Sequence, residues 1–159
     1  MTNTYVPLAT ITLTATDSEL VFANLPSTYR DLIVVGNWAG SASANYLKIR
    51  FNGDTGNNYT GVFAFGASNG TGSFTSSTSS VDVGITRTGL GPMLLQVQDY
   101  SATNKHKTLL SRYGLSDQSE LGMIAGRWAN TSAVTSMTLF LSSGTISVGS
   151  TFSIYGVAA

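Results

Sequence analysis

The sequence predicts an all-β protein, a single antiparallel β-sandwich of the jelly-roll type with about nine or ten strands. Apolar residues recur at every second position along most of the chain, which is the period of a strand with one buried face. Glycine, asparagine, aspartate, serine and proline separate these segments, and helical periodicity is scarce. A length of 159 residues suits one domain, which we expect to span residues 8–159.

The alternating segments predict the strands in chain order. In the segment 10–14, Ile11 and Leu13 share one face and threonines occupy the other. The same alternation recurs in the segments 46–51, 81–85, 93–98, 137–141 and 152–157. The segment 32–35 is apolar at every position, so we expect it at the centre of a sheet or against a partner.

The segment 102–113 has two interpretations. Leu109, Leu110 and Tyr113 could share a helical stripe that ends at Gly114. The segment also alternates with period two, and the strand patterns on either side of it favour a strand. We therefore predict a strand here.

Two segments are expected to lie outside the strands. Residues 66–80 are rich in serine, threonine and glycine, with Phe74 as their one apolar anchor, and they predict a long loop. This loop is either a flexible linker or a segment that becomes ordered against a neighbouring subunit. Residues 1–7 predict an extended arm that docks on a neighbour through Tyr5 and Pro7, with a frayed terminus as the alternative.

Composition excludes several classes of function. Eight basic and eight acidic residues give a net charge of zero, which argues against a protein that binds nucleic acid by neutralising phosphates. The chain has no cysteine, so it has no disulfide and no cysteine metal site. Its longest apolar runs are too short for a membrane-spanning helix or a secretion signal, and we expect no membrane partner.

The residues that could perform catalysis are few. The single histidine, His106, lies between two lysines, and we expect it to be a solvated residue in a turn. No G-x-S-x-G motif is present. The closest acidic pairs are expected to be solvated residues in turns: Asp17 with Glu19, and Asp117 with Glu120. We therefore expect no enzymatic activity, no catalytic residue and no cofactor.

The segment 51–59 is the most distinctive short stretch. Asn52, Asp54 and Asn57 are weak candidates for ligands of a hard cation such as Ca²⁺, although one carboxylate supplies little charge. The alternative is a tight connection between strands, in which Asn and Asp side chains bond to nearby backbone and Gly53 and Gly56 adopt positive φ. The second interpretation is favoured, and no metal site is predicted.

Aromatic residues supply the candidate contact surfaces. Large rings on a sandwich occupy the core, an interface or a sugar-stacking platform. Five residues are our candidates for contacts with a partner: Tyr5, Pro7, Trp38, Phe74 and Trp128. The candidates for stacking on a glycan are six aromatic residues: Tyr5, Trp38, Tyr46, Tyr59, Tyr100 and Trp128.

Three stretches together resemble a known group of proteins. They are LPSTYRDLIVV at 25–35, RFNGDTGNNY at 50–59 and GSTFSIYGV at 149–157. In this order and spacing they resemble small virion proteins of tailed bacteriophages, particularly those of cyanophages. That group includes capsid decoration (cement) proteins and related proteins associated with tail fibres.

The resemblance implies a jelly-roll sandwich with no enzymatic activity. It implies a homotrimer on the outer surface of the virion capsid, with the major capsid protein and further copies of itself as partners. Neither nucleic acid nor a membrane is an expected partner. The alternative within the same group is a receptor-binding or carbohydrate-binding protein at the tip of a tail fibre.

Overall fold

The computed structural model describes residues 4–42, 45–67, 70–115 and 119–158. In these ranges the chain forms twelve β-strands and no helix. The strands are β1 (Tyr5–Thr12), β2 (Glu19–Phe22), β3 (Asp31–Trp38), β4 (Asn45–Phe51), β5 (Tyr59–Ala67), β6 (Gly70–Thr78), β7 (Val81–Thr86), β8 (Gly91–Gln98), β9 (Lys107–Gly114), β10 (Glu120–Trp128), β11 (Met137–Leu141) and β12 (Thr151–Val157). Across the described ranges, no helix has the length and hydropathy needed to cross a membrane.

The strands form two antiparallel sheets that together make a jelly roll. One set of four strands has the order β1-β12-β3-β8 and the other has the order β2-β11-β4-β7. Successive strands of these two sets alternate between them except at β4 and β7, which pair within the second set, and this is the arrangement of two interleaved Greek keys. Two hairpins, β5–β6 and β9–β10, extend the first set into an eight-stranded large sheet, while the second set remains a four-stranded small sheet. The predicted fold class is confirmed, with twelve strands among the described residues instead of the nine or ten expected.

The core lies between the two sheets, where the alternating residues meet. On β4 the buried side chains are Leu47, Ile49 and Phe51, each with no solvent exposure. The backbones of the two sheets approach each other most closely at β7, which lies against β9, β10 and β5. Each fully buried aliphatic or aromatic side chain of this kind contributes about 1.5–3 kcal/mol to stability.

The strand predicted within 102–113 is β9, which begins at Lys107. Its side chains alternate in burial, and the buried set begins with Lys107 itself. The Lys107 ammonium donates to the carbonyl oxygens of Lys105 and Thr131, at 2.9 and 3.2 Å. Desolvation lowers the pKa of Lys107.

The structure corrects the loop predicted at residues 66–80. Residues 59–67 are β5 and residues 70–78 are β6, and the two strands pair position by position from Tyr59 opposite Thr78 to Ala67 opposite Gly70. A strand at the edge of a sheet is held by backbone hydrogen bonds, so it does not need an apolar sequence. Residues 68–69 lie outside the described ranges.

The structure also corrects the N-terminal arm predicted at residues 1–7. Tyr5 and Pro7 belong to β1, where they pair with Val157 and Tyr155 of β12. This part of the chain is therefore a strand of the large sheet, because the C-terminal strand offers it a backbone edge. Residues 1–3 lie outside the described ranges.

Candidate interaction surface

The large sheet turns one face to the core and the other outward, and the outward face is apolar. Large side chains on it are about half exposed: Leu121 66%, Met123 53%, Leu110 49%, Val62 49% and Val35 44%. We call these residues, together with Ile33 and Leu94, the outer apolar face. They lie on five adjacent strands, β3, β8, β9, β10 and β5, so they form one surface.

The strand registers place these side chains in neighbouring rows. Val35 pairs with Leu94, Leu94 with Arg112, and Arg112 with Met123, so the four residues cross the sheet side by side. In the adjacent row, Ile33 pairs with Gln96 and Leu110 pairs with both Gln96 and Ala125. A shallow depression of about 450 Å³ lies on this surface, lined mainly by Val35, Pro92, Leu94, Arg112, Leu121 and Met123.

The sequence carries a signal for this surface. A sheet face in contact with water alternates apolar with polar residues, whereas strands covered on both faces are apolar throughout. The prediction for 32–35 used that signal, and β3 lies inside the large sheet between β12 and β8. The doublets 94–95 and 109–110 carry the same signal, because Leu94 and Leu110 point outward while their neighbours Leu95 and Leu109 are buried. Sequence reasoning missed them.

The exposed charged side chains on the outer apolar face are two arginines. Arg112 lies between Leu94 and Met123, Arg127 lies further along β10, and both are exposed. Neither takes part in an ion pair among the described residues. Asp31, the first residue of β3, occupies an outward position, but it is buried and paired with Arg30 at 3.2 Å.

The outer face of the small sheet differs, because three of its four charged side chains, those of Lys48, Asp82 and Arg50, have partners, while Glu19 is exposed at the start of β2. Lys48 on β4 forms an ion pair with Asp82 on β7. The Arg50 guanidinium lies 4.3 Å from the centre of the Phe140 ring and donates to the Ser79 carbonyl oxygen at 3.1 Å.

The loop 52–58 is held by Asp54. Its Oδ2 accepts hydrogen bonds from Trp128 Nε1 at 2.7 Å and Asn58 Nδ2 at 2.9 Å, and its Oδ1 accepts one from Gly56 N at 2.8 Å. The Trp128 bond, followed by the Asn58 bond, lowers the pKa of Asp54. Both carboxylate oxygens are therefore engaged by donors of the protein.

Asn52 performs the same role at the start of this loop. It adopts a left-handed conformation with φ of 52°, and its Oδ1 accepts hydrogen bonds from Thr135 N at 2.8 Å and Ser136 N at 3.1 Å. Its Nδ2 donates to the Ala133 carbonyl oxygen at 2.8 Å. The arrangement is a tight, side-chain-bonded connection between strands.

The remaining predictions for this loop have different outcomes. Gly53 adopts positive φ as predicted, whereas Gly56 does not, and a Cβ at Gly56 would lie 2.8 Å from Nδ2 of Asn58. Asn57 is exposed. Among the described residues, no group of three or more histidine, aspartate or glutamate side chains is placed to hold a metal ion.

Two of the five predicted contact residues are buried, which corrects their assignment. Trp38 is 4% exposed and packs against Phe152, and Trp128 is 1% exposed and packs against Phe51. Both occupy inward positions on their strands, so neither ring can contact a partner or stack on a glycan. The tail-fibre alternative therefore loses both tryptophans from the set of tyrosines and tryptophans that motivated it.

The other three contact candidates lie at the edges of the large sheet. Tyr5 is 58% exposed, and Pro7 is exposed on the same strand. Phe74 is in β6 opposite Phe63, and its side chain lies outside what the structure describes.

The candidates for catalysis are separate from one another. His106 is exposed in the turn before β9, as predicted. Asp17 and Glu19 are exposed at the start of β2. Glu120 is not the solvated acid that we predicted: its side chain is 14% exposed, 3.8 Å from Arg87 and 3.2 Å from the Tyr113 hydroxyl. Asp117 lies outside the described ranges.

Burial raises the pKa values of three tyrosines. Desolvation raises the pKa of Tyr59 to about 12, and it also raises the pKa values of Tyr100 and Tyr113. The Tyr59 ring stacks on the Trp128 ring, and the Tyr59 hydroxyl accepts a hydrogen bond from Phe51 N at 3.0 Å.

The raised tyrosine pKa values predict that the protein loses stability at alkaline pH. The pKa of Tyr59 is higher in the folded state than its ordinary value of 10.0. Its contribution to the free energy of unfolding is therefore fully present below pH 10.0 and is lost as pH rises toward about 12. We expect the unfolding free energy to fall above about pH 10, and to fall less steeply in Tyr59→Phe. Denaturant midpoints measured across this pH range test the prediction. Tyr5→Phe is the exposed control, and equal slopes in wild type and Tyr59→Phe would contradict it.

Comparison with known proteins adds little to this geometry. No protein-family model matches the chain, and no curated protein matches it. Among solved structures, the chain is similar to a protein of unknown function from Shewanella oneidensis MR-1, with 7% identity and a TM-score of 0.22, over 99% of this chain and 78% of that chain. A likeness at that TM-score carries no argument.

Proposed function

We propose that this protein is a non-enzymatic structural protein of a phage virion, a decoration protein that binds the major capsid protein and stabilises the head. The observation that carries the proposal is the contrast between its two outer faces. One exposes apolar side chains and two arginines that form no ion pair among the described residues, and on the other Lys48, Asp82 and Arg50 already have partners. Such a contrast suits a protein that attaches by one side and exposes the other to water.

The size of the outer apolar face suits a protein partner. Neighbouring strands lie about 4.8 Å apart and residues rise about 3.3 Å along a strand, so five strands of about six residues cover roughly 500 Å². The whole large sheet covers roughly 750 Å² by the same geometry. Stable protein interfaces bury about 800 Å² on each partner, which one face of this sheet nearly supplies.

The chemistry of the face defines the partner. Arg112 is surrounded by Leu94 and Met123, so covering the face desolvates its guanidinium. A carboxylate on the partner would compensate that cost. A second copy stacked face to face would instead set one basic surface against another, because Arg112 and Arg127 are the exposed charged residues of this face among those described. We therefore assign the face to an apolar, acidic patch on the capsid shell.

Binding to purified expanded capsids that lack this protein tests the proposal. Met123→Asp places a charge in the centre of the contact, and we expect it to abolish co-sedimentation with the capsids. Arg112→Ala should weaken binding by about 2 kcal/mol or more, because the partner's carboxylate loses its counter-charge.

The matched control is Val21→Asp. Val21 is 48% exposed, close to the 53% of Met123, but it lies on β2 of the small sheet. We expect it to bind capsids as wild type does. Unchanged binding by Met123→Asp would refute the assigned face, and failure of the wild-type protein to bind capsids would refute the decoration function.

A further inference from the structure

We infer that the free edge of β6 pairs with β6 of a second copy of this chain, so that two large sheets join into one across a two-fold axis. This pairing uses the edge of the large sheet and leaves the outer apolar face free. It therefore does not depend on the proposed function.

The two sheets have four edge strands, and three of them are protected. Edge strands expose unpaired N–H and C=O groups, and natural proteins protect them with proline, charge, bulges or short length. β1 carries Pro7 and a register shift after it. β2 has only four residues and begins with Glu19. β7 carries Asp82, paired with Lys48, and its register with β4 skips Val83, so this edge strand is bulged.

The fourth edge strand, β6, has none of these protections. It runs for nine residues, Gly70–Thr78, with the sequence GTGSFTSST, which contains no proline and no charged residue. It pairs with β5 at every position without a register shift, so its backbone is straight enough to accept another strand. In the large sheet β6 has β5 as its one neighbour.

A second copy is the occupant that this sequence suits best. In an antiparallel pair about a two-fold axis the strand lies opposite itself, and β6 has no charge to repel its own copy. Threonine and serine opposite one another also form favourable cross-strand pairs. The strand has no charged side chain that would select a partner of opposite charge. The pairing predicts a dimer, in place of the trimer that the resemblance implies.

The register that centres the axis on position 74 places Thr71 of one copy opposite Ser77 of the other. Both residues are exposed, so they can be replaced without disturbing the core. Lysine at both positions would set like charges against each other on either side of the axis. Glutamate at both positions would do the same, and the two variants would then complement each other.

Light scattering on the purified full-length chain, over a range of concentrations, tests the inference. We expect wild type to reach twice the monomer mass and the variant Thr71→Lys with Ser77→Lys to remain monomeric. A mixture of the lysine pair with Thr71→Glu, Ser77→Glu should recover the dimer as a heterodimer. Lysines at Thr10 and Thr12 on β1 are the matched control, and they should leave the dimer intact.

Several results would overturn the inference: a wild-type protein that stays monomeric at every concentration, a trimer, or a dimer that persists in the lysine variant. Thermal unfolding of each variant separates loss of pairing from loss of fold, and the charge-swapped mixture does so independently. Met123→Asp should still dimerise, so failure of this pairing is distinguishable from failure of capsid binding.

Discussion

Trp128→Ala is expected to lower the free energy of unfolding by about 3–5 kcal/mol. The ring is 1% exposed and packs against Phe51, at a centroid distance of 5.6 Å, and Tyr59, at 6.3 Å. Its removal leaves a cavity between the two sheets. It also removes the donor that Nε1 supplies to Asp54, so the loop 52–58 loses one of its fixed points.

Denaturant unfolding monitored by circular dichroism measures this effect, and Trp128→Phe separates its two parts. Phenylalanine keeps most of the packing but cannot donate to Asp54, so we expect a loss of about 1–3 kcal/mol. A cost below about 1 kcal/mol for the alanine variant would contradict the packing described for Trp128.

The Trp128→Phe variant should also change the pKa of Asp54. The pKa of Asp54 is lowered below 3.8, chiefly by the Trp128 bond. Its contribution to stability is therefore present above pH 3.8 and is lost as pH falls through the folded pKa. In Trp128→Phe the pKa of Asp54, followed by NMR of its carboxyl carbon, should rise toward the ordinary value. An unchanged pKa would show that the bond does not hold the carboxylate.

Gly122→Ala has the second large effect, an expected loss of about 1–3 kcal/mol of stability through overpacking. A Cβ at Gly122 would lie 2.5 Å from the Tyr113 hydroxyl oxygen and 2.6 Å from two ring carbons. Tyr113 is 5% exposed, so its ring has little room to move. Displacing it would also break the 3.2 Å hydrogen bond between its hydroxyl and Glu120.

The matched control is Gly66→Ala on the neighbouring strand β5. A Cβ there meets only the Thr71 methyl carbon, at 3.9 Å, which is an ordinary contact. We expect this variant to equal wild type or to gain up to about 1 kcal/mol, because alanine restricts the unfolded chain. Equal denaturant midpoints for the two alanine variants would contradict the role assigned to Tyr113.

The location of most strands could be predicted, because alternation is a local property. Leu47, Ile49 and Phe51 are buried as the pattern indicated, since a sheet with one face on a core must bury every second residue. β6 could not be found this way. Its edge position removes the need for apolar residues, and its serines and threonines then look like those of a loop.

The order of the strands could not be predicted from these patterns. β1 pairs with β12, so Tyr5 lies opposite Val157 at the far end of the chain. No local pattern encodes a contact of that separation. For the same reason Arg112 was not identified as a candidate. A single arginine in a strand indicates a contact surface only when Leu94 and Met123 are known to lie beside it.

The sequence by itself determined the all-β class, most strand positions and the low charge of the surface, because period and composition require no knowledge of what packs against what. Only the tertiary structure decided which apolar residues are covered. Trp38 and Trp128 are enclosed between the sheets, while Leu121 and Met123 remain in water. The physical reason is that burial depends on a second layer, and the large sheet has such a layer on one of its two faces.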